Sequence, residues 1–369
     1  MPISAEARAE AERLFAAFVA AGAQPIEADI LQPAETLLDL YGEDIRARAY
    51  VTWDPAQGEM MLRPDFTVPV VRAHMTNGAE PARYCYRGEV FRQQDRGSGR
   101  AAEYLQVGYE LFARDDPAAA DAEVFALVDR LLAPLSLRAT VGDMGLLSAA
   151  VRGLHTTDRR KAALSRHIWR PRRFRALLDR YSGCAPSPPS RRRLLARLAA
   201  ETPETMIAVA GPVIGLRSEE EIVARVRALA EDASAPPISE READLIDELL
   251  RVSAPAPAAL ERLRDLAVDM VSIRDAVDRL DARLEALARA GVDPKRLVFE
   301  ASLGRATMEY YDGFVFAFEA LGRSGLPPVA SGGRYDALTR VLGQGRAIPA
   351  VGGVIRPGLV ARLKAEDRA

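Results

Sequence analysis

The segment Leu62–Ala113 constrains the fold of this chain more than any other part of the sequence. It begins with a short polar corner, Arg63–Thr67, that precedes a helix start. Two strands are predicted after that helix, at Tyr84–Arg92 and Glu103–Phe112, and the loop Gln93–Ala102 between them is rich in glycine, arginine and aspartate. The segment therefore predicts a helix followed by two consecutive strands.

The second predicted strand carries polar residues on one face. Because side chains alternate between the faces of a strand, Gln106, Gly108 and Glu110 point the same way. The Cα atoms of Gln106 and Glu110 lie roughly 13 Å apart on an extended chain, and the glycine between them has no side chain. This predicts a shallow trough of the right length for a small zwitterion. The alternative, which periodicity alone favours, is a solvated outer face of an antiparallel sheet.

The composition is that of a soluble globular protein, since 49% of the 369 residues are hydrophobic and 28% are charged. This length predicts one large domain with an insertion, or two domains. The net charge of −2 predicts no general attraction to nucleic acid or to an anionic membrane. The N-terminal segment Ala5–Ala21 has the pattern of an amphipathic helix and predicts neither a targeting signal nor a membrane span.

Cysteine and histidine are sparse. Cys85 and Cys184 are distant in sequence and belong to no Cys-x-x-Cys pair, which argues against a disulfide framework. The three histidines, His74, His155 and His167, show no metal-ligand spacing. We therefore predict a reduced, cytoplasmic protein without a metal site or a cofactor.

The segment Leu62–Ala113 resembles motif 2 of class II aminoacyl-tRNA synthetases, and most closely that of histidyl-tRNA synthetases. That family has a Leu-Arg-Pro-Glu-x-Thr corner, a strand that ends in Phe-Arg and a strand with Gln-x-x-x-Glu. Later segments resemble further family motifs: Tyr310–Gly313 the histidine-specific Tyr-Tyr signature, Ser331–Leu338 the Gly-Gly-Arg-Tyr-Asp strand, and Ala350–Leu363 motif 3. The resemblance implies an α+β fold with a mixed, mostly antiparallel sheet flanked by helices.

The resemblance also implies a division of the chain. Residues 1–152 and 296–369 correspond to the class II core, and the helical pattern of residues 153–295 predicts an insertion. The region Ile26–Leu40 is similar to motif 1, which forms the dimer interface in that family, so a homodimer is expected. The C-terminal anticodon-binding domain of the synthetases has no counterpart in this sequence, and we therefore expect no tRNA-recognition module.

The family match implies a histidine-binding pocket that consists of eight residues: Asp65, Thr67, Arg92, Gln106, Glu110, Tyr310, Tyr311 and Tyr335. In this assignment Asp65, Thr67 and Gln106 hold the α-amino group, because an ammonium only donates hydrogen bonds. Glu110 and Tyr311 hold the imidazole, Tyr310 and Tyr335 lie near it, and Arg92 pairs with the carboxylate. The alternatives are half-buried core aromatics for the tyrosines and a helix N-cap for Asp65.

Three departures from the family argue against catalysis. Ala306 takes the position of the catalytic arginine, Glu309 that of an aspartate, and Leu359 that of the motif 3 arginine. Arg305, Arg356 and Arg362 are nearby but out of register. Adenylate formation relies on preorganised positive charge, and loss of one such group costs roughly two to three orders of magnitude in rate. We therefore predict no catalytic residues.

A synthetase core with a histidine pocket but without the adenylation arginines is similar to the histidyl-tRNA-synthetase-like regulatory subunits of ATP phosphoribosyltransferase. That family implies a hetero-oligomer with a short-form catalytic subunit, which performs the first step of histidine biosynthesis, and L-histidine as a feedback effector. One alternative is an active truncated ligase that forms histidyl-adenylate, with Arg305 or Arg356 replacing the lost arginines.

A second alternative is RNA binding through a basic run in the predicted insertion. The run consists of Arg159, Arg160, Lys161, Arg166, Arg170, Arg172, Arg173, Arg175, Arg191, Arg192 and Arg193. Such a run contacts phosphates in RNA-binding proteins. The interpretation as a solvated helical face is favoured, because few aromatic residues, chiefly Trp169 and Phe174, are interleaved with the basic ones.

Overall fold

A computed structural model describes residues 3–35, 48–94, 97, 100–212, 214–305, 310–323 and 325–367. Within these residues the chain forms a mixed sheet flanked by helices, as the resemblance implied. None of the helices among the described residues is long and apolar enough to cross a membrane.

The described residues contain twelve strands: β1 (Gln24–Pro25), β2 (Leu31–Pro33), β3 (Val51–Asp54), β4 (Gly58–Leu62), β5 (Ala82–Phe91), β6 (Glu103–Phe112), β7 (Leu137–Asp143), β8 (Ser253–Pro255), β9 (Val298–Glu300), β10 (Phe314–Ala320), β11 (Ala330–Arg334) and β12 (Ala350–Ile355). Nine of them form one sheet in the order β1-β5-β6-β12-β11-β10-β7-β9-β8, and β2-β4-β3 form a small sheet. Within the described part of the large sheet, only β1/β5 and β7/β9 are parallel pairs. The sheet is therefore mostly antiparallel.

The α-helices of the described residues are α1 (Ala5–Ala20), α2 (Thr67–Asn77), α3 (Pro117–Leu132), α4 (Met144–Gly153), α5 (Asp158–Arg166), α6 (Pro171–Tyr181), α7 (Pro189–Leu198), α8 (Pro203–Ala210), α9 (Glu219–Ser234), α10 (Glu240–Leu250), α11 (Ala256–Asp269), α12 (Arg274–Arg289), α13 (Asp336–Leu342) and α14 (Pro357–Glu366). Short 3₁₀ turns lie at Val271–Ile273 and Pro294–Arg296.

Local sequence signals account for several helix starts. The side chain of Ser4 accepts a hydrogen bond from the Ala7 amide at the start of α1. Asp116 does the same for the Ala119 amide at α3, where proline occupies the first turn. Ser272 fits the cap pattern equally well but lies inside a 3₁₀ turn, and α12 begins at Arg274 without a side-chain cap. A serine in the right position therefore does not by itself fix the first residue of a helix.

The predicted insertion is helical in its first part and joins the large sheet in its last part. Helices α5–α10 form the first part, and β8, which follows them, pairs with β9 at the edge of the large sheet. Helix α12 lies against α3 of the core, to which the Arg283 side chain connects it. The division at residues 153 and 295 stays a prediction, and the structure adds that the last part of this region packs on the core.

A buried ion network connects α12 to the sheet. The Arg283 guanidinium lies 2.7 Å from Asp121 Oδ2 and 2.8 Å from Asp143 Oδ2. Arg334, the arginine of the Gly-Gly-Arg-Tyr-Asp segment, lies 2.7 Å from the other oxygen of Asp121. All four side chains are buried. Since buried charges are tolerated only when paired, these residues fix the positions of α3, α12 and β11 relative to one another.

Candidate functional site

The candidate site lies on one face of β6, between β5 and β12. In the register of the sheet, Glu110 faces Tyr84 of β5 and Gly352 of β12. Gln106 and Glu110 are each only 1% exposed. The polar face of β6 is therefore buried, and the solvated-face interpretation is wrong.

Three hydroxyl groups surround the Glu110 carboxylate. Thr67 and Tyr86 each donate a hydrogen bond to Oε1 at 3.0 Å, and Tyr335 donates to Oε2 at 2.5 Å. We call Thr67, Tyr86, Glu110 and Tyr335 the Glu110 cluster. Its members come from the start of α2, from β5, from β6 and from the start of α13, so the cluster depends on the tertiary fold. Charge-assisted hydrogen bonds of this kind fix the orientation of a carboxylate.

Glycines make room for this cluster. A Cβ atom at Gly352 would lie 1.5 Å from Glu110 Oε2, and one at Gly108 would lie 2.2 Å from the Tyr86 ring. The predicted trough at Gly108 is therefore wrong in one respect, because Tyr86 fills the space that the glycine leaves. Sequence analysis missed Tyr86. Its signal was the cross-strand pairing of Tyr86 with Gly108, which becomes visible only when the register is known.

Burial controls the protonation of the cluster. Desolvation raises the pKa of Glu110 to about 7, although the hydrogen bonds from Tyr335, Tyr86 and Thr67 oppose this effect. Desolvation and the nearby Glu110 carboxylate raise the pKa values of Tyr86 and Tyr335 well above their usual range. The tyrosines are therefore neutral donors, and Glu110 is the group of the cluster that titrates near neutral pH.

Tyr310 and Tyr311 lie beside the cluster. The two rings are 4.8 Å apart between centroids, and the Tyr310 ring makes an edge contact with Tyr335 at 6.1 Å. The Tyr310 hydroxyl is 3.5 Å from Thr67 Oγ1. Burial, followed by the Glu110 charge, raises the pKa of Tyr311. Both tyrosines therefore lie beside the Glu110 cluster, and their contact with a bound histidine stays a prediction.

The predicted insertion reaches the site through Trp169. The indole Nε1 donates a hydrogen bond to the backbone oxygen of Tyr311 at 3.3 Å. The turn that carries Trp169 joins α5 to α6. The backbone of Tyr311 is therefore held from the side of the helical region, a contact that the sequence did not reveal.

Asp65 and Arg92 form the second part of the site. Arg92 Nη2 lies 3.9 Å from Asp65 Oδ2, and Arg92 Nε donates to the backbone oxygen of Pro64 at 2.8 Å. Asp65 is buried but is not the N-cap of α2, because that position belongs to Phe66 and makes no side-chain cap bond. The interpretation of Asp65 as a cap is therefore wrong.

Gln106 has an unused acceptor. Its Oε1 atom is buried and has no hydrogen-bond partner among the described residues. A buried amide oxygen without a partner carries a desolvation cost, which a ligand donor would remove. This acceptor lies on the same strand face as Glu110, at the spacing expected for two ends of one small ligand.

The three arginines near the lost positions have different surroundings. Arg305 turns toward the helical region, where its Nε donates to the Ile168 backbone oxygen at 3.0 Å and its guanidinium lies over Phe174. Arg362 is exposed and pairs with Glu366 at 2.9 Å. Arg356 lies near Tyr104, with Cζ 6.0 Å from the ring centroid. Ala306 and Glu309 lie outside the described residues.

Part of the basic run serves to hold the helical region together. Arg160 is buried and pairs with Asp232 at 2.7 Å, and Arg191 pairs with the same carboxylate. Arg175 pairs with Asp247 of α10 and with Asp179. These ion pairs agree with the interpretation of the run as a helical face with acidic partners, rather than as a phosphate-binding surface.

Comparison with known proteins identifies the family to which this chain is similar. The family model described as histidyl-tRNA synthetase matches residues 1–232 and 219–357. A protein of Agrobacterium fabrum described as ATP phosphoribosyltransferase regulatory subunit is 34% identical, with 93% of each chain covered. A protein of Brucella anthropi with the same description is also 34% identical and covers 89% of this chain and 90% of its own length.

Solved structures show the same fold. A Bacillus halodurans structure, described as an ATP phosphoribosyltransferase regulatory subunit/histidyl-tRNA synthetase, superimposes with a TM-score of 0.67 at 22% identity. The match covers 97% of this chain and 79% of that chain. A histidyl-tRNA synthetase from Nostoc gives a TM-score of 0.63 at 17% identity, with 98% and 73% covered.

Proposed function

Since the chain belongs to the histidyl-tRNA synthetase family and is similar over most of its length to ATP phosphoribosyltransferase regulatory subunits, we propose that it is the regulatory subunit of such an enzyme. In this proposal the chain binds L-histidine, assembles with a separate catalytic subunit and performs no chemistry itself. The catalytic subunit transfers the phosphoribosyl group in the first step of histidine biosynthesis.

One observation carries the histidine-binding part of the proposal. The Glu110 carboxylate is buried and held by three hydroxyl groups, while the Gln106 Oε1 acceptor on the same strand face has no partner among the described residues. A fixed carboxylate suits an imidazole N–H, and a vacant amide acceptor suits an ammonium. Histidine carries both groups at the two ends of one small molecule.

The positions of the arginines support a non-catalytic role. Adenylate formation needs preorganised positive charge at the developing phosphate charge. Arg362 is exposed and pairs with Glu366. Arg305 donates from Nε to the Ile168 backbone oxygen and lies over Phe174, while its Nη2 is buried and has no hydrogen-bond partner among the described residues. The contacts of Arg305 favour a structural role over replacement of the arginine that the family has at position 306.

Regulation follows from linkage between two conformations of the complex. Histidine inhibits only if it binds the less active conformation more tightly, and the coupling free energy is typically about 1–3 kcal/mol. The hydrogen bond from Trp169 to Tyr311 offers a physical connection, since it joins a ligand-binding segment to the helical region. We propose that this connection contributes to the coupling.

The proposal is tested with the reconstituted complex of this chain and its catalytic subunit. We expect L-histidine to inhibit phosphoribosyl transfer by the wild-type complex. In the Glu110→Gln complex we expect weaker inhibition, measured as a smaller ratio of the rate without histidine to the rate with histidine. Arg362→Gln is the matched control, because this side chain is exposed and remote from Glu110. Equal inhibition of the wild-type and Glu110→Gln complexes would contradict the pocket assignment.

A second candidate function is a ligase that forms histidyl-adenylate. The observation in its favour is that Arg356 follows β12 directly, next to the strand position of Gln106, and is able to contribute positive charge there. ATP–pyrophosphate exchange with histidine tests it. We expect no exchange above background. Clear exchange would favour the ligase function over the regulatory function.

A further inference from the structure

Arg356 lies at the end of the site opposite to the Glu110 cluster. It follows Ile355, the last residue of β12, which pairs with Val107 of β6, so Arg356 is next to the strand position of Gln106. Its Nη1 donates to the backbone oxygen of Pro328, and its guanidinium lies near the Tyr104 ring. Arg356 therefore lies beside the vacant Gln106 acceptor and far from the carboxylate of Glu110.

Arg92 and Arg356 approach this end of the site from the two strands beside β6, since Arg92 follows Phe91, which pairs with Glu103, and Arg356 follows Ile355, which pairs with Val107. Burial lowers the pKa of Arg356, and the nearby Arg92 charge acts in the same direction. Among the described residues, no carboxylate lies within salt-bridge distance of Arg356, and Asp65 is 3.9 Å from Arg92. Arg362, which lies in α14 six residues after Arg356, pairs with Glu366 instead.

The charges at this end of the site suit an anion. Asp65 pairs with Arg92 at 3.9 Å, and an anion that reached both Arg92 and Arg356 would lower the remaining repulsion between the two guanidinium groups. A guanidinium presents its donors in a fork that matches a carboxylate. The neighbouring Gln106 oxygen accepts from an ammonium, so the group that fits both neighbours is an α-amino acid head group.

We propose that Arg356, together with Arg92, binds the α-carboxylate of the amino acid whose imidazole meets Glu110. The inference rests on the proposed function and adds a specificity residue to it. Arg356 supplies, from the residue after β12, the positive charge that the family has at position 306. The site therefore selects free amino acids over amines of the same side chain.

The test compares L-histidine with histamine, which has the amine and the imidazole but no carboxylate. Isothermal titration of the purified chain should give a histidine affinity at least tenfold above that for histamine. Arg356→Gln should weaken histidine binding about 10- to 100-fold, the range expected for a hydrogen bond to a charged group. Histamine affinity should change less than histidine affinity, and Arg356→Lys should recover part of the loss.

Arg362→Gln is the matched control and should bind both molecules as the wild type does. Unchanged histidine affinity in Arg356→Gln, or equal losses for histidine and histamine, would overturn the inference while leaving the proposed function intact. If the wild-type chain bound histidine and histamine with nearly equal affinity, the inference would be overturned even if Arg356→Gln failed to fold. Absence of histidine binding by the wild type would instead refute the proposed function, and the carboxylate subsite with it.

A competition experiment with inorganic phosphate completes the test, since a phosphate group is also able to bind the same two arginines. Phosphate should compete with histidine only weakly. If Arg356→Gln abolished phosphate binding but left histidine binding unchanged, the subsite would belong to a phosphate ligand and the carboxylate assignment would be wrong.

Discussion

Glu110 and Gly352 face each other on the neighbouring strands β6 and β12, and the Glu110 carboxylate occupies the space of the side chain that Gly352 lacks. The carboxylate can lie there only because position 352 is glycine. The orientation of the central acid of the site is thus decided by a residue that makes no polar side-chain contact.

Substitution of Gly352 tests this relationship. In Gly352→Ala the new methyl group would overlap Glu110 Oε2, so the carboxylate must leave its three hydroxyl donors. We expect histidine affinity to fall tenfold or more, measured by isothermal titration. The control is Gly358→Ala in α14, where the nearest atom to the added methyl is 3.9 Å away. Equal binding by Gly352→Ala and the wild type would refute the assignment of Glu110 to the ligand.

The raised pKa of Glu110 predicts a pH-dependent stability. Its pKa is about 7 in the folded chain against an ordinary value of 4.5. Between these values the folded state binds more protons than the unfolded state, so the free energy of unfolding falls as the pH rises. The shift corresponds to about 3 kcal/mol.

Glu110→Gln isolates this contribution. Asp312, whose pKa burial raises to about 6, changes stability in the same direction but is present in both proteins and cancels in the difference. Urea unfolding from about pH 4.5 to pH 8 should show the variant gaining stability relative to the wild type as the pH rises. A difference that stays constant over this range would mean that Glu110 does not titrate near neutral pH.

The buried network predicts a large cost for removing Arg283. Arg283→Ala leaves the buried carboxylates of Asp121 and Asp143 without their shared partner. We expect a loss of about 3–5 kcal/mol in the free energy of unfolding. Arg289→Ala on the same helix should cost less than about 1 kcal/mol, because its ion pair with Glu285 is exposed. Similar losses for the two variants would contradict the assigned role of the network.

Trp169 is predicted to support ligand binding without touching the Glu110 cluster. Trp169→Phe keeps an aromatic ring but removes the hydrogen bond to the Tyr311 backbone. The loss of about 1 kcal/mol should weaken histidine binding about fivefold. Trp53→Phe is the control, since Trp53 is 71% exposed and belongs to the small sheet. If both variants bind histidine as the wild type does, the contact has no role in positioning Tyr311.

The parts of the site that were predictable from sequence are those with local signals. The strand Glu103–Phe112 was confirmed residue by residue, because its alternation is regular and turn residues bound it. The assignment of Gln106 and Glu110 to one face followed from the same alternation. Their burial did not, because periodicity reports which residues share a face and not what covers that face.

The remaining features depend on contacts between distant segments. Tyr86 enters the Glu110 cluster through the register of β5 against β6, and Arg283 meets Asp121 across 162 residues of sequence. The Trp169 contact joins positions 142 residues apart. No local pattern specifies such pairs, since each depends on how whole helices and strands pack.

The most direct test of the central claim is calorimetric titration of the purified chain, first with L-histidine and then with ATP. The account predicts that histidine binds in a saturable manner and that ATP binds neither alone nor in the presence of histidine. ATP binding that strengthens with histidine would contradict the account, because it would mean that the adenylation site still functions.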